Sequence, residues 1–600
     1  MKIGMHRILQ TDLTRLATGA GDVTTLLHLC EVERSKHILL LHSVIAEASR
    51  RFPQAHKDLR LADAWQLLQH AQQRDPDSLG NILQMPQLGA WALNCLQHLR
   101  RAVRDTAELR EDLVQAGAFA AVAALQTGLD FEIPVTLPDG ILRLPGSGET
   151  ATPVRGPAWL RHSAGQLDVV TAEKTVRLPP PQPLILSARH AGLTLVLDVD
   201  TSTPYLDRYH HSRLARIGRE EVRQWSERLA GAWRILATHH REDAEAISVS
   251  VRTVVPLRAD RTGSSLAATS PSAFGALAAS LPPDDLALAE TMVHEFQHLK
   301  LCAVQDLLPL LDSGKGKLAY APWRDDPRPL RGLLHGAYAY LGVTRFWRVQ
   351  RLHMPAGQTM RGHAEYARRR DETLRVLDDL LTSGGLTAEG RDFVTEAGNQ
   401  LRGWLRDPVP ESAARLARHA SREHRLTWEA RHVTVDPAHL RQLVSRWTAG
   451  RPPPASGTGT VTYRPGKTGR VRLHPRALLL TLRYVDPPKA EELLDEEGED
   501  GKGPMGLSQA DLALLRGELS VAVAAYLADI GRRPTAQPDA WAGLALALEW
   551  SSHPVADALD HRLSLVATLH AALHTRTGRP ADPLELIGWL ADREGGDDPA

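Results

Sequence analysis

ETMVHEFQHLKLC, residues Glu290 to Cys302, contains His294-Glu295-Phe296-Gln297-His298, an H-E-x-x-H pattern. On a helix, positions four apart lie one turn apart on the same face. His294 and His298 therefore present two imidazoles to one point, the arrangement that a metal ion requires. Ala289, Met292, Val293, Phe296 and Leu299 occupy the remaining faces and are expected to pack inward. Glu295 follows the first histidine and can reach a metal-bound water or support the ligands from behind. The preceding SLPPDD offers Pro and Asp at a helix start, so the helix is predicted from about Asp284 to Leu308. The bland reading is a helix with two hydrogen-bonded histidines.

Outward from this helix the chain alternates in character. Residues 1–128 carry apolar residues at helical spacing, as in HILLLHSVIAEASRRF and DAWQLLQHAQQR, and AGAFAAVAALQTG ends on a closing glycine. DFEIPVTLPDGILRLPG reads as a hairpin about Pro-Asp-Gly. QLDVVTAEKTVRL, PLILSARH and LTLVLDVD continue as strands. A helix is expected over 218–245, AISVSVRTVVPL alternates like a strand, and SSLAATSPSAFGALAAS reads as strand or loop. Helices resume from Leu330 to about 448. GRPPPASGTGTVTYRPGKTGR has linker composition, KAEELLDEEGEDGKG reads as an acidic mobile loop, and helical hairpins close the chain. The fold class expected is α+β, mainly α-helical and multi-domain, with a mixed sheet/helix metal-binding core and a helical C-terminal region. The segments are 1–128 (helical), 129–250 (β-rich, then helix), 251–350 (the H-E-x-x-H core), 351–448 (helical), 449–507 (linker and acidic loop) and 508–600 (helical). Length alone suggests about three to four domains.

Composition narrows the function classes. Lys+Arg and Asp+Glu both number 71, so the chain has no net charge with which to attract nucleic acid or an anionic membrane. No apolar run reaches membrane-spanning length, and the first residues lack the apolar core of a signal peptide. Cys30, Cys95 and Cys302 are too far apart in sequence for a metal knuckle or an iron–sulfur motif, and so sparse a count suits a reducing cytoplasm. The adjacent pairs His210/His211 and His239/His240 are expected to be surface groups, because neighbouring helical residues diverge by about 100°.

Two histidines leave a metal site incomplete. The H-E-x-x-H-x-x-G-x-x-H continuation is absent, and no N-E-x-x-S/D helix follows. The favoured third ligand is His335 in RGLLHGAYAYLGVTRFW, where Gly336 and Gly342 suggest that something approaches the helix closely, the H-E-x-x-H helix being the obvious candidate. Packing alone is the alternative for His335, and Asp306 and Glu290 are weaker ligand candidates. Arg324, Arg328 and Arg331 crowd just before His335. They either pair with Asp325 and Asp326 or clamp the carboxylate of a co-substrate, with Tyr338 as a further hydroxyl donor. Ser272, Phe274 and Gly275 belong to a segment that could offer an edge strand to an extended peptide, or form an internal strand.

SPSAFGALAASLPPDDLALAETMVHEFQHLKL followed by YAPWRDDPRPLRGLLHGAYAYLGVTRFW resembles the H-E-x-x-H domain proteins of ribosomal peptide natural-product clusters. The likeness extends more loosely from GAWALNCLQHLRRA and GLDFEIPVTLPDGILRLP to the C-terminal helices. It implies an iron(II)- and 2-oxoglutarate-dependent hydroxylase acting on the β-carbon of residues in a precursor peptide. His294, His298 and His335 would then be the ligands, and a radical-SAM maturase would be a possible partner. Three protein ligands leave room on an octahedral iron for 2-oxoglutarate and oxygen, although the usual facial set includes one carboxylate. In that reading Glu295 orients a ligand. The alternative is a zinc metallopeptidase, in which Glu295 is the general base. A third reading is a non-catalytic peptide-binding partner of a maturase.

Overall fold

The computed structural model describes residues 5–179, 181–201, 203–206, 217–259, 266–312, 318–454, 462–463, 474–496, 503–533, 537–560 and 562–591. The chain divides into two compact units, Met1–Leu310 and Leu311–Ala600. The division falls inside the segment 251–350. The expected class is observed: α+β and mainly helical.

The first unit opens with α1 (Gln10–Ala17), α2 (Val23–Arg51), α3 (Pro53–Asp58), α4 (Leu61–Arg74), α5 (Pro76–Leu83), α6 (Pro86–Arg101) and α7 (Ala107–Thr127). The closing glycine behaves as expected: Gly128 takes a left-handed φ of 67° and ends α7. Strands follow as β1 (Phe131–Leu137), β2 (Ile141–Leu144), β3 (Gly148–Ala151), β4 (Gly156–Ser163), β5 (Gln166–Val170) and β6 (Thr175–Leu178). The turn at Pro138-Asp139-Gly140 is present, but the expected hairpin about it is not. β1 pairs with β4 in an antiparallel sheet ordered β1-β4-β5-β6, while β2 pairs with β3. Burial explains the parting. Phe131, Ile133, Val135 and Leu137 share one face of β1, which joins the helices in a single apolar core with Leu113 and Phe119. A turn fixes a change of direction, whereas the apolar face chooses the partner.

His37 on α2 lies wholly inside this core. Its Nδ1 donates to the Leu83 carbonyl at 2.8 Å, and Nε2 meets no donor. Gly89 on α6 makes the room, since a Cβ there would stand 2.3 Å from Nε2. Burial pushes the imidazole down to about 4. The folded state therefore holds it neutral, while the unfolded chain protonates it near its ordinary value of about 6.5. This contribution to stability is complete above about pH 6.5 and is lost as pH falls towards 4, by up to about 3 kcal/mol. Urea unfolding at a series of pH values should show a steeper acid loss in wild type than in His37→Gln. Equal slopes would remove His37 as the cause.

The second sheet carries the H-E-x-x-H helix. Its strands are β7 (Ile185–His190), β8 (Leu193–Val199), β9 (Thr253–Pro256), β10 (Ala267–Ala268) and β11 (Ala276–Ala279), in the order β10-β11-β9-β8-β7. The three central strands run parallel, and each end strand is antiparallel to its neighbour. Between β8 and β9 come α8 (Arg219–His239) and α9 (Arg241–Ser250). Much of AISVSVRTVVPL is thus helical rather than extended, with strand only over Thr253–Pro256. Asp243, Ala244, Ala246, Ile247 and Ser250 are the buried set of α9, a helical spacing that a period-two reading of AISVS overlooks. His240, at the break between these helices, is buried rather than exposed, while His239 is half-buried. His210 and His211 lie outside the described residues.

After β11 the chain enters α10 (Asp285–Leu307), capped by Asp284, whose carboxylate accepts from Ala287 N at 2.7 Å. Predicted and observed bounds agree within a residue. Arg228 of α8 binds Asp285 at 2.9 Å, and Gly231 of α8 leaves space for that carboxylate.

The second unit is built of α11 (Leu330–Gln350), α12 (Thr359–Thr382), α13 (Ala388–Trp404), α14 (Glu411–His432), α15 (Pro437–Thr448), α16 (Pro475–Val485), α17 (Pro487–Asp495), α18 (Gln509–Arg516), α19 (Leu519–Arg532), α20 (Pro538–Trp550), α21 (Leu563–Thr577) and α22 (Pro583–Ala591). The first part of the acidic stretch is therefore helix α17, not loop. Asp486 caps it by accepting from Lys489 N, and two prolines start it. The segment 449–507 likewise contains α16. No described helix is long and apolar enough to cross a membrane.

Candidate metal centre

His294, Glu295 and His298 sit in the middle of α10. Their candidate ligand atoms all lie within 4.8 Å of one another, and no other such group occurs among the described residues. The imidazole rings meet edge-on with centroids 4.9 Å apart. The helix places them as the spacing requires, because Ala289, Met292, Val293, Phe296 and Leu299 are all buried. Both histidines are half-buried, so their rings stand at the border of the core. Burial pushes His298 down to about 4, which leaves it neutral and able to offer a ring lone pair at pH 7.

Glu295 is buried, and its carboxylate accepts from the Thr269 hydroxyl at 2.5 Å. The same hydroxyl also lies 3.3 Å from the Glu295 carbonyl. Burial pushes the carboxyl up to about 7, against the opposing pull of this hydrogen bond. Thr269 directly follows β10, so the end strand of the sheet is tied to the H-E-x-x-H helix at its glutamate. Sequence reading did not single out Thr269, whose part depends on a register visible only in the fold.

It also missed the far side of the helix. Lys300 is completely buried, and its Nζ donates to the carbonyls of Gly19 at 2.7 Å and Ala20 at 3.2 Å. Gln297 Nε2 donates to Gly19 as well, at 3.1 Å. The ammonium also lies 4.9 Å from the Phe296 ring centroid. These bonds anchor α10 on the loop after α1 and satisfy carbonyls that burial would otherwise orphan. A lysine among apolar neighbours in FQHLKLC was the available signal.

The other expected residues fall as follows. Asp306 is engaged by Lys36 at 2.7 Å. Ser272 belongs to the turn ahead of β11, where its hydroxyl meets that of Ser270 at 2.8 Å. Phe274 is buried, and the Gly275 carbonyl accepts from Arg252 and Thr253. All three lie in the turn ahead of β11, which is an internal strand between β10 and β9; the end strand of the same segment is β10.

His335 stands half-buried on α11 in the second unit. The close approach inferred from Gly336 is real, but its cause is Trp323. A Cβ at Gly336 would lie 2.4 Å from the indole, which stacks on Tyr340 at 4.7 Å. Arg324 and Arg328 both bind Asp326, at 2.9 and 3.1 Å, so the loop pairing is found for these two. Although burial works the other way, the two guanidiniums hold Asp326 below its ordinary value. Arg331 is exposed on the first turn of α11, and Tyr338 is buried with its ring 5.4 Å from that of Phe393.

No protein-family model and no curated protein matches the chain. The reading of the centre rests on its residues.

Proposed function

We propose that the chain is an iron(II)- and 2-oxoglutarate-dependent hydroxylase acting on the β-carbon of residues in a ribosomally made precursor peptide. The observation that carries the metal part is the convergence of the His294 and His298 rings with the Glu295 carboxylate, within 4.8 Å. Two imidazoles suit a divalent first-row metal and fit iron(II), with the Glu295 carboxylate placed beside them to orient a ligand. The likeness of the H-E-x-x-H and PWRDDPRP–HGAYAYLGV segments to the peptide-modifying family supplies the reaction and substrate class. Bound iron(II) would let dioxygen do the oxidation, one oxygen atom going to the peptide and the other to succinate as 2-oxoglutarate loses CO₂. The chain's own residues hold the ligands in place. Burial keeps His298 deprotonated, Thr269 fixes the Glu295 carboxylate, and Lys300 and Gln297 lock the helix from behind. A carboxylate already occupied by a hydroxyl donor is suited to orienting a neighbour rather than to taking a proton.

One observation favours the zinc peptidase instead. A glutamate pushed up to about 7 is poised as a general base at neutral pH. The two readings separate on Glu295→Gln. The hydroxylase is expected to retain activity within about tenfold of wild type, whereas a peptidase would lose about 10²–10⁴-fold with its base. The assay is anaerobic loading with iron(II), then a precursor peptide, 2-oxoglutarate and air, read by peptide mass and succinate. A gain of one oxygen supports the proposal. Zinc-dependent shortening of the peptide overturns it, and so does an unchanged peptide mass. The expectation for His335 is tested by the same assay on His335→Ala.

A further inference from the structure

The sheet behind the histidine centre has two end strands, and only β10 lies beside the centre. α10 packs against β10 and β11. The hydroxyl of Thr269, one residue past β10, holds Glu295 Oε2 at 2.5 Å. The other end strand, β7, stands four strand spacings from β10, or about 19 Å.

The register settles which backbone groups β10 leaves open. Ala267 faces Ala279 and Ala268 faces Ala278 across an antiparallel ladder. The Leu266 carbonyl accepts from Ser280 N at 2.8 Å, while the Ala279 carbonyl turns the other way and accepts from Leu257 N at 2.8 Å. Bonded and non-bonded pairs alternate along such a ladder, so Ala267 and Ala279 are a non-bonded pair. The N–H and C=O of Ala267 therefore point away from β11, off the end of the sheet. Neither takes a hydrogen bond among the described residues, and Ala267 is exposed.

The strand's composition suits a visiting backbone. Alanine is a poor strand former, yet all four residues of the β10–β11 ladder are alanine. Their methyl groups leave room for the side chains of a neighbouring strand. Leu266 to Thr269 also carry neither the charge nor the proline that guards many sheet edges. An extended peptide presents N–H and C=O groups at the strand spacing and needs no particular side chain to pair. Added about 4.8 Å beyond β10, it runs past Thr269, the residue that grips Glu295. The strand is short, so the pairing supplies two backbone bonds at this point, one from each polar group of Ala267.

We propose that β10 receives an extended segment of the peptide substrate as an added strand, its backbone exchanging hydrogen bonds with Ala267 so that the residue to be modified comes beside Glu295 and the two imidazoles. The identity of the peptide as substrate rests on the hydroxylase reading; the pairing does not.

The test uses the full-length chain without metal and the precursor peptide of the hydroxylation assay, carrying a fluorescent label, with binding read by anisotropy. The peptide should bind saturably. Ala267→Pro removes the outward N–H, and proline is tolerated at the first residue of an end strand, so the inner ladder stays intact. It should weaken binding by at least about fivefold. Methylating the peptide's backbone nitrogens one at a time should weaken binding at alternate positions only, because successive N–H groups of a strand point to opposite sides. The same methylations should cost nothing further in the Ala267→Pro chain. Should the proline variant fail to fold, the alternation in wild type carries the test alone. Unchanged affinity in a folded Ala267→Pro chain overturns the added strand. So do methylations that act at every position or at none, and so does absence of saturable binding up to about 1 mM. The hydroxylation assay then separates the two ideas. A peptide that binds along β10 yet gains no oxygen overturns the hydroxylase reading and leaves the strand standing. A peptide hydroxylated with the same KM by wild type and Ala267→Pro overturns the strand and leaves that reading standing.

Discussion

In His298→Ala the metal affinity of the full-length chain is expected to fall by more than about 100-fold, and the proposed hydroxylation of a precursor peptide with it. The argument is geometric. Two rings one helical turn apart can share a single metal position, and the desolvated His298 offers its lone pair without first losing a proton. Alanine removes that donor; Phe296, Gln297, Leu299 and Lys300 are committed to the core or to the loop at Gly19, and the Glu295 carboxylate is held by Thr269. The fold should survive, since the residue lies at the border of the core and helix propensity rises on going to alanine. Metal analysis after desalting and thermal melts with and without iron(II) read the effect independently of activity. Saturating metal at about a hundred times its dissociation constant should stabilise wild type by about 2.7 kcal/mol and the variant by far less. Equal metal-induced shifts in the two proteins would end the assignment of this centre.

That centre was legible because its signals are local. The Asp284 cap, the apolar positions of α10 and the i,i+4 histidines all lie within one helix, and each implies its own geometry. What escaped was what another part of the chain supplies. Thr269 is an unremarkable threonine until the sheet sets it against Glu295, and Lys300 reads as a surface cation until the loop at Gly19 and Ala20 closes over it. The Pro138-Asp139-Gly140 turn misled for the same reason, since β1 finds its partner in β4, the nearest pair being Leu137 and Gly156. Gly336 was a partial success: a glycine in a helix does mark a close approach, but spacing could not name Trp323 as the group that makes it. AISVS shows the limit of periodicity itself, because a stretch of five residues satisfies two periods at once and tertiary packing chose the helix.

Arg476 is the strongest case of a residue that only the fold explains, and its replacement by methionine is expected to destabilise the second unit by about 3–5 kcal/mol. The side chain is completely buried at the start of α16. It bonds Asp511 of α18 at 2.6 Å, Glu423 of α14 at 3.2 Å, Thr427 at 3.3 Å, Tyr526 of α19 at 3.3 Å and the Asp539 carbonyl of α20 at 3.2 Å. Five helices thus meet on one guanidinium, a fork that lysine could not reproduce. Burial alone would drive the proton off, but Tyr526, Asp511 and Glu423 outweigh it and hold the group charged. Methionine fills much of the volume yet leaves two buried carboxylates, Asp511 and Glu423, without this counter-ion. Glu423 is the more exposed to that loss, because its Oε2 already lacks a donor. Urea unfolding followed by a probe in the second unit measures the loss. Neutralising the carboxylates as well, in Arg476→Met with Glu423→Gln and Asp511→Asn, should recover most of it, since the damage comes from the stranded charges rather than from the missing contacts. Were the single variant to unfold at the wild-type midpoint, or the triple variant to be no better than the single one, the guanidinium would not be what balances these buried acids.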